Sequence, residues 1–196
     1  MSAKNNAALV RLNKKGKHLE VGLKKGLEKG LDAFHELFQD TRLRGRPGLR
    51  VRTGNLLQSF HHRVTGSTLD TITGRYGTNS SYAAKHEFGG KITPKKAKFL
   101  TIPLDDNKTA AGVARMDAST VIDTFAYHAF LPAANPPNLV LVAGQDEASA
   151  KPMFVLVKSV TIPKRLHLFK TWRHFAKQEG GLKKHIKIAV AGALSK

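Results

Sequence analysis

The first forty residues place apolar and polar positions with the period of an α-helix. From residue 8 to residue 40, large apolar side chains recur every three or four positions, which predicts one long amphipathic helix. The members of this apolar stripe are Leu19, Leu23, Leu27, Leu31, Phe34 and Phe38. Gly22, Gly26 and Gly30 form a second row along the same helix. Each glycine costs about 1 kcal/mol relative to alanine inside a helix, so the row predicts close approach by another backbone; the alternative is a locally weak, frayed helix.

The middle of the chain carries short β-prone runs separated by turn residues. Phe60–Thr65 and Thr68–Tyr76 flank Gly66-Ser67 and predict a hairpin with a two-residue turn. We expect this hairpin to share one sheet with two later strands. The further predicted strands are Phe99–Leu104 (a buried strand), Thr124–Phe130, Leu139–Ala143 and Met153–Ile162. A loop at Pro136 and Pro137 separates Thr124–Phe130 from Leu139–Ala143. Those that join the hairpin's sheet are Phe99–Leu104 and Met153–Ile162.

The last segment returns to the helical period. Leu166–Leu194 is predicted to form two helical pieces that meet at Gly180 and Gly181. The apolar stripes consist of Phe169, Trp172 and Phe175 or Ala176 in the first piece, and of Leu182, Ile186, Ala189 and Val190 in the second. Stripes of this kind are more typical of a core or a subunit interface than of a ligand site.

Together these elements predict an α+β protein. Its expected architecture is an antiparallel sheet of about four to six strands, with a long N-terminal helix and a C-terminal helix packed on it. A length of 196 residues with 41% apolar residues suits a single domain. Within it we distinguish a basic N-terminal helix and arginine-rich loop (1–52), a sheet core (53–163) and a basic C-terminal helical segment (164–196).

One stretch, residues 77–104, joins the hairpin to the later strands. Tyr82–Phe88 is predicted to form about two helical turns. Gly89 and Gly90 are expected to end them, because glycine accepts positive φ at a helix terminus. A basic loop braced by Pro94 follows at residues 92–98 and leads into the next strand.

Three sequence blocks resemble one protein family. RTGNLLQSF at 52–60, YAAKHEFGGKITPKKAKFLTIPL at 82–104 and FVLVKSVTIPKR at 154–165 resemble the phage virion-morphogenesis family, and they follow its order. The residues that carry the resemblance, with an implied structural role, are Thr53, Gly54, Tyr82, His86, Phe88, Gly89, Gly90, Pro163 and Arg165. One departure follows Arg165, where Leu166-His167-Leu168-Phe169 replaces the family's Pro-aromatic-Leu step. It leaves the packing at the start of the last helix open.

The resemblance implies a structural role in a virus particle. Members of this family are tail-completion or head–tail joining proteins. The expected protein is therefore a neck or connector subunit that forms a homo-oligomeric ring between phage head and tail. Expected neighbours are phage connector, tail-terminator or tail-tube proteins, with the DNA in the channel as a further contact. Assembly would take place in the cytoplasm of the bacterial host, and the mature location would be the virion.

Charge is distributed unevenly along the chain. The sequence has 33 Lys and Arg residues against 14 Asp and Glu residues, a net charge of +19. Residues 1–52 and 163–196 each carry +8, whereas residues 53–162 carry only +3. A field of that kind attracts and steers polyanions. We therefore expect an acidic or nucleic-acid partner at the two ends of the chain.

The densest basic run is RLRGRPGLRVR at residues 42–52, which places five guanidinium groups on a loop. Guanidinium groups bind phosphates in a bidentate manner. A solvated loop and a loop that docks on an acidic neighbouring protein are the alternatives. The residues expected to contact DNA or an acidic partner are Arg42, Arg44, Arg46, Arg50, Arg52, Lys24, Lys25, Lys183 and Lys184.

No motif for catalysis or metal binding emerges from the sequence. The chain has no cysteine, which excludes disulfides and thiolate metal sites. Its nine histidines lack HExxH spacing, and His86 and Glu87 would project about 100° apart on a helix. The phosphate-binding patterns GxxxxGK[ST] and GxGxxG and the serine-hydrolase pattern GxSxG are absent. We expect no enzyme activity, no cofactor and, without a run of 18 apolar residues, no membrane partner.

Two other classes of function stay open. A stand-alone basic DNA-binding protein is the alternative, because a net charge of +19 with basic helical ends fits backbone binding. It lacks a helix-turn-helix, a zinc finger or an aromatic RNA-binding motif. A nuclease is the third class, and no glutamate in the chain is followed two residues later by lysine, as metal-dependent nucleases often require.

Overall fold

The computed structural model describes residues 3–45, 47–134 and 138–195. Within these residues the chain alternates helices and strands. The helices are α1 (Ala3–Phe38), α2 (Asn55–Ser59), α3 (Ala83–Phe88), α4 (Ala118–Thr124), α5 (Leu168–Lys177) and α6 (Leu182–Leu194). The strands are β1 (Phe60–Thr65), β2 (Thr73–Thr78), β3 (Gly90–Ile92), β4 (Leu100–Pro103), β5 (Tyr127–Pro132), β6 (Leu139–Gly144), β7 (Lys151–Val157) and β8 (Val160–Ile162).

The chain forms two compact units. The helical unit comprises residues 1–50, 55–83 and 165–196, and the sheet unit comprises residues 51–54 and 84–164. Both basic ends of the chain therefore belong to the helical unit. The single-domain prediction stays a prediction, and the predicted loop at Pro136 and Pro137 lies outside the described residues.

The helical unit is organised by α1, which continues beyond Phe38 into a π-helical turn at Gln39–Leu43. The predicted helix over residues 8–40 is confirmed and is longer at both ends. α5 and α6 confirm the prediction of two C-terminal helical pieces. The helical unit thus takes its longest helices from the two ends of the sequence.

The core of the helical unit is rich in aromatic side chains. Phe34 and Phe38 on α1 are fully buried. The ring of Phe34 meets the rings of Tyr76 and Trp172 edge-on, with centroids 4.9 Å apart in both pairs. Such pairs contribute about 0.5–1.5 kcal/mol beyond the burial of their area. The other buried members of this core are Leu43, Phe60, Ala83, Leu166 and Phe175.

The predicted hairpin is confirmed as β1 and β2, but its predicted two-residue turn is wrong. Thr65 pairs with Thr73, so residues 66–72 form the connection. Thr71 organises this loop, because its hydroxyl accepts hydrogen bonds from the backbone N–H groups of Ser67 (3.1 Å) and Thr68 (3.0 Å).

The longer loop brings Tyr76 into the aromatic core. Tyr76 pairs with His62, and its ring stacks on Phe60 with centroids 5.8 Å apart. A two-residue turn would shift the register and carry Tyr76 past the end of β1. Burial of the aromatic ring therefore decides the register against the local Gly-Ser signal.

The start of α5 is the place where the sequence departs from the family it resembles. Leu166 is buried in the aromatic core, and His167 has a left-handed backbone (φ 51°). Leu168 packs against the same core. The predicted apolar stripe is confirmed for Trp172 and Phe175, but it is wrong for Phe169, which is exposed. The buried face of α5 contains Leu168, Thr171 and Phe175 at spacings of three and four residues, so Phe169, one position after Leu168, projects about 100° away from it.

The sheet unit contains a four-stranded antiparallel sheet in the order β4-β7-β6-β5, and a separate ladder in which β3 pairs with β8. The α+β class is confirmed, and four strands lie within the predicted range. The expectation that the hairpin shares this sheet was wrong. β1 and β2 form a two-stranded sheet of their own, because Phe60 and Tyr76 pack against the aromatic core of the helical unit.

The predicted strand Met153–Ile162 consists of two strands in different sheets. β7 pairs with β4 and β6, whereas β8 pairs with β3. The break falls at Lys158 and Ser159. A continuous apolar run indicates β-propensity but not which strands will pair with it, so the break was not visible in the sequence.

A β-bulge allows two consecutive side chains of β7 to enter the core of the sheet unit. The register shifts so that Leu141 opposes Phe154 while Val142 opposes Pro152. Met153 and Phe154 are both buried, although neighbours in a regular strand point to opposite faces. The other buried apolar residues of this core are Val121, Leu141, Ala143 and Leu156.

The prediction that Phe99–Leu104 is a buried strand was wrong in part. A strand is present as β4, but it lies at an edge of the sheet, and its Ile102 side chain is 39% exposed. Phe99 precedes the strand and packs against the core of the sheet unit. An apolar sequence does not distinguish an edge strand from a central one.

Candidate functional site

The row of glycines on α1 lets α6 approach closely. A Cβ atom on Gly26 would lie 2.6 Å from the Cα atom of Ile186, and one on Gly22 would lie 2.9 Å from the Cα atom of Val190. A Cβ atom on Gly30 would lie 2.5 Å from a methyl group of Leu182. The predicted close approach is therefore confirmed, and the frayed-helix alternative is not observed.

A groove of about 650 Å³ lies along one side of this helix pair. We call it the α1–α6 groove. Clefts that bind ligands typically measure about 300–1,000 Å³. The residues on which its chemistry depends are Lys17, His18, Val21, Lys25 and Lys29 on α1, and His185, Ile188 and Gly192 on α6.

The groove is lined by both aliphatic and basic side chains, and on α1 Val21 lies in the same row as Lys17, Lys25 and Lys29. Val21 and Ile188 are 63% and 61% exposed although both are aliphatic. The titratable side chains that line the groove are all lysines or histidines. The surrounding helical unit contains 22 basic and 7 acidic residues, a net charge of +15, whereas the sheet unit contains 11 and 7, a net charge of +4. The groove therefore lies in the strongly positive part of the protein.

His18 joins the two walls of the groove. Its Nδ1 atom donates a hydrogen bond of 2.8 Å to the backbone carbonyl of Ala193. This carbonyl belongs to the last turn of α6, where backbone carbonyls have no partner within the helix. His18 thus fixes the end of α6 to α1.

Two arginines of the predicted basic loop belong to the end of the N-terminal helix. Arg42 is half-buried, and its Nε atom donates to the hydroxyl of Thr171 on α5 at 3.0 Å. Arg44 forms an ion pair with Asp40 at 2.8 Å. These side chains therefore stabilise the C-terminal end of the helix locally.

The other described arginines of that run, Arg50 and Arg52, belong to different units of the fold. Arg50 is exposed and belongs to the helical unit, whereas Arg52 belongs to the sheet unit and donates to the backbone carbonyl of Gly112 at 3.0 Å. Arg46 lies outside the described residues. The run RLRGRPGLRVR is thus divided among a helix end, a loop and the sheet unit.

The two predicted lysine pairs also separate. Lys25 lines the α1–α6 groove. Lys24 is half-buried next to it, and Lys183 and Lys184 are exposed on α6, but these three do not line the groove. Lys17, Lys29, Val21 and Ile188, which also line the groove, were not among the predicted contact residues. The signal that could have found them was the glycine row, which implies a neighbouring helix and hence a crevice beside it.

A second cluster of titratable side chains connects α1 to the hairpin. The Nδ1 atom of His35 bonds to the Tyr76 hydroxyl at 3.0 Å, and the Gln39 amide donates to its Nε2 atom at 2.8 Å. His62 lies 3.2 Å from the carboxylate of Asp32. Burial lowers the pKa of His35, and the charge of His62 lowers it further. Burial also raises the pKa of Tyr76 well above its usual value, so this cluster favours neutral side chains at its centre.

Gly89 and Gly90, in the block at 82–104 that resembles the phage family, determine the local backbone conformation. Gly89 has φ of 73°, and its amide donates to the carbonyl of Lys85 at the end of α3. Gly90 has φ of 132° and begins β3 by pairing with Ile162 of β8. These values confirm that both glycines end the helix with a positive φ.

The remaining residues that carry the resemblance lie mainly at the surface. Tyr82, Phe88, Pro163 and Arg165 are exposed, and His86 is half-buried on α3. Gly54 has φ of 80° and directly precedes α2, and Thr53 is exposed beside it. These residues lie mostly in turns and at the ends of helices and strands.

Asn107 is a fully buried polar residue of the sheet unit that the sequence did not predict. Its side chain donates to the carbonyl of Met116 at 2.9 Å and accepts from the amide of the same residue at 3.0 Å. These two hydrogen bonds stabilise the loop between β4 and α4. A buried asparagine of this type is a structural element, and nothing in the local sequence distinguishes it from an ordinary turn residue.

Among the described residues, no group of three or more histidine, aspartate or glutamate side chains is arranged to hold a metal ion. No helix in the part of the chain that the structure describes is long and apolar enough to cross a membrane. Comparison with known proteins found no matching family model, no matching curated protein and no matching solved structure.

Proposed function

We propose that this protein is a structural subunit of a tailed bacteriophage, a tail-completion or head–tail joining protein that assembles as a ring between head and tail. It acts through binding and geometry and not through catalysis. Its neighbours are connector, tail-terminator or tail-tube proteins of the same virion, which is assembled in the bacterial cytoplasm. The proposal starts from the three sequence blocks that resemble the virion-morphogenesis family.

The observation that carries the proposal is the way two of these blocks meet in the fold. The block at 82–104 contributes β3 and β4, and the block at 154–165 contributes β7 and β8. β3 pairs with β8, and β4 pairs with β7. Two segments separated by about fifty residues thus form both ladders together. The blocks behave as one folded substructure, which supports reading the resemblance as a whole and not as isolated short matches.

The two edges of the sheet are the surfaces through which we expect copies to meet. β4 and β5 are the edge strands, and edge strands present backbone groups that can pair with another chain. Phe130 and Leu131 on β5 are 49% and 47% exposed, and β4 exposes Ile102. A contact of β4 on one copy with β5 on the next uses different surfaces, and such head-to-tail contacts generate closed rings when the rotation allows.

Charge also favours self-association through the sheet unit. Its net charge is +4, against +15 for the helical unit. Like charges repel within the screening length, which is about 8 Å at physiological salt. A contact made by the sheet unit therefore meets less like-charge repulsion than a contact made by the helical unit.

Light scattering on the purified chain after size-exclusion chromatography tests this proposal. We expect a single closed assembly larger than a dimer in high salt, where charge–charge contacts are screened within about 3 Å at 1 M. The double variant Phe130→Lys with Leu131→Lys should be a monomer, because consecutive strand residues point to opposite faces and a charge would flank an added strand on each side. The matched control is Leu69→Lys with Val113→Lys, two exposed apolar residues that do not belong to β4 or β5, and it should assemble normally. Assembly that survives the edge variant would refute the contact.

A stand-alone DNA-binding protein is the second candidate, and the net charge of +15 on the helical unit favours it. In that case the wild-type protein would be a monomer or a dimer in high salt. It would bind free duplex DNA with an affinity that falls by about 0.9 in log K per unit of log salt for each phosphate neutralised. Weak binding with a slope near zero, together with a closed assembly, would exclude this candidate.

A further inference from the structure

We propose that the α1–α6 groove is a docking site for an acidic amphipathic helix of a partner protein. The inference does not depend on the ring, because it concerns only the helical unit. Four features of the groove support it: the length, the exposed aliphatic residues, the positive charge, and the open space beside Gly192.

The groove has the dimensions of a helix-binding site. Its α1 wall extends from Lys17 to Lys29, which is about 18 Å at the rise of 1.5 Å per residue in a helix. That length corresponds to about three turns of a partner helix. Grooves between two helices commonly receive an amphipathic helix whose apolar side chains recur every three or four positions.

The aliphatic residues that line the groove favour a protein helix over nucleic acid as the occupant. Val21 and Ile188 both line it and are mostly exposed. Their burial would contribute to binding only if the partner offered apolar side chains. A phosphate backbone has none to offer, and its contacts are made by cationic and hydrogen-bonding groups. Exposed aliphatic side chains among the lysines of the groove therefore fit a partner with an apolar stripe flanked by acidic residues.

The lysines that line the groove favour a partner with negative charge. Lys17, Lys25 and Lys29 lie on the α1 side at spacings of eight and four residues, so they follow one face of the helix. Carboxylates on both sides of the partner's apolar stripe would complement them. Like charge disfavours a second copy of the helical unit as the occupant, since each unit carries +15.

Gly192 leaves space where the occupant would lie. It lines the groove in the last turns of α6, and a Cβ atom added there would meet no atom within 4 Å. Glycine costs about 1 kcal/mol in a helix relative to alanine, so a larger residue would stabilise α6. Gly192 therefore permits a variant that fills the groove without disturbing the packing of the two helices.

The test uses a designed helical peptide of about 20 residues, which spans about 30 Å. It carries leucines at positions i, i+3, i+4 and i+7 and glutamates on the flanks, and a scrambled peptide of the same composition is the reference. Fluorescence anisotropy at physiological salt should show that the full-length wild-type chain binds the designed peptide at least about tenfold more tightly than the scrambled one.

Two variants should abolish this preference, each with a matched control. Gly192→Leu should weaken binding by about tenfold or more, whereas Gly16→Leu should change it by less than about twofold, because Gly16 also has open space around it but does not line the groove. Lys25→Glu with Lys29→Glu should weaken it similarly. Lys183→Glu with Lys184→Glu, which changes net charge equally outside the groove, should not.

Circular dichroism at each step separates loss of binding from loss of folding, and only folded variants are compared. Equal binding of the designed and scrambled peptides would overturn the inference, as would equal losses in the variants and their controls. Binding of a 20-base-pair DNA duplex that depends on Lys25 and Lys29, with no binding of the peptide, would assign the groove to nucleic acid instead.

Discussion

The helical unit and the sheet unit use glycine for opposite purposes. In the helical unit, Gly22 and Gly26 provide space, because a side chain there would collide with the backbone of α6. In the sheet unit, Gly89 and Gly90 provide backbone conformation, because their φ angles of 73° and 132° disfavour other residues. The two kinds of glycine have different sequence signatures, a row at intervals of four and an adjacent pair.

The units differ equally in what holds them together and in what they offer to partners. The helical unit has an aromatic core and a net charge of +15, whereas the sheet unit has a mainly aliphatic core and a net charge of +4. Charge concentrated on one unit leaves the other free for contacts between identical copies. We propose a division of labour in which the helical unit binds acidic partners and the sheet unit forms the contacts between copies.

The largest expected effect comes from emptying each core separately. Phe34→Ala in the helical unit and Phe154→Ala in the sheet unit should each lower the free energy of unfolding by about 3–5 kcal/mol, because each removes a fully buried ring and leaves a cavity. Native-state hydrogen exchange should show faster exchange mainly in α1, α5 and α6 for the first variant and in β5, β6 and β7 for the second. If both variants accelerated exchange throughout the chain, the two units would be one cooperative core.

A smaller loss is expected from closing the space between α1 and α6. Gly26→Val should cost about 1–3 kcal/mol, since its side chain would collide with the backbone at Ile186 and force the helices apart. Gly16→Val is the control on the same helix, because its Cβ atom would meet nothing within 4 Å. Thermal denaturation compares the two. An equal loss at Gly16 would mean that the effect comes from helix propensity and not from packing.

The matching change in the sheet unit acts through conformation. Gly89→Ala should cost about 1–2 kcal/mol, the strain of a left-handed residue that carries a Cβ atom. Gly77→Ala on β2 is the control, because its surroundings are open and its φ is not in the left-handed region. Urea denaturation measures both. No loss at Gly89 would contradict the role assigned to the block at 82–104.

The smallest effect is expected in the dependence of stability on pH. The folded-state pKa of His35 lies below its ordinary value of 6.5 because of burial and the nearby His62. The unfolded chain therefore binds more protons as pH falls through about 6.5, so this histidine removes stability on acidification, and the stability is fully present above that pH.

His35→Gln should flatten that dependence while keeping a donor for Tyr76. Urea midpoints at pH 7 and at about pH 5 would measure the change, with His61→Gln on the exposed side of β1 as the control. Identical pH profiles for the wild type and the His35 variant would show that the cluster around Tyr76 does not depend on a neutral His35.

Local patterns were sufficient to predict the helices and most of the strands. The stripe containing Phe34 and Phe38 predicted α1, and the row from Gly22 to Gly30 predicted a close neighbour without identifying it as α6. The pattern could not predict the register of the hairpin, since that depends on Tyr76 reaching an aromatic core built from distant segments. It also could not divide the run at 153–162, because the partners of β7 and β8 come from elsewhere in the chain.

The candidate groove was less predictable than the fold. The density of arginines predicted a phosphate-binding loop at residues 42–52. In the structure, Arg42 donates a hydrogen bond to Thr171 and Arg44 forms an ion pair with Asp40, both within the helical unit. The lysines that matter for the groove, such as Lys17 and Lys29, are scattered over three helical turns. Only the packing of α6 against α1 decides which of them share a surface with Val21 and Ile188.

Hydrogen exchange on the assembled wild-type protein tests the division of labour most directly. The reference is the Phe130→Lys, Leu131→Lys variant under the same conditions. We predict that amides of β4 and β5 exchange more slowly in the wild-type assembly than in this variant, while amides of α6 exchange at the same rate in both. Protection on α1 and α6 in place of the sheet edges, or no protection in either unit, would contradict the account.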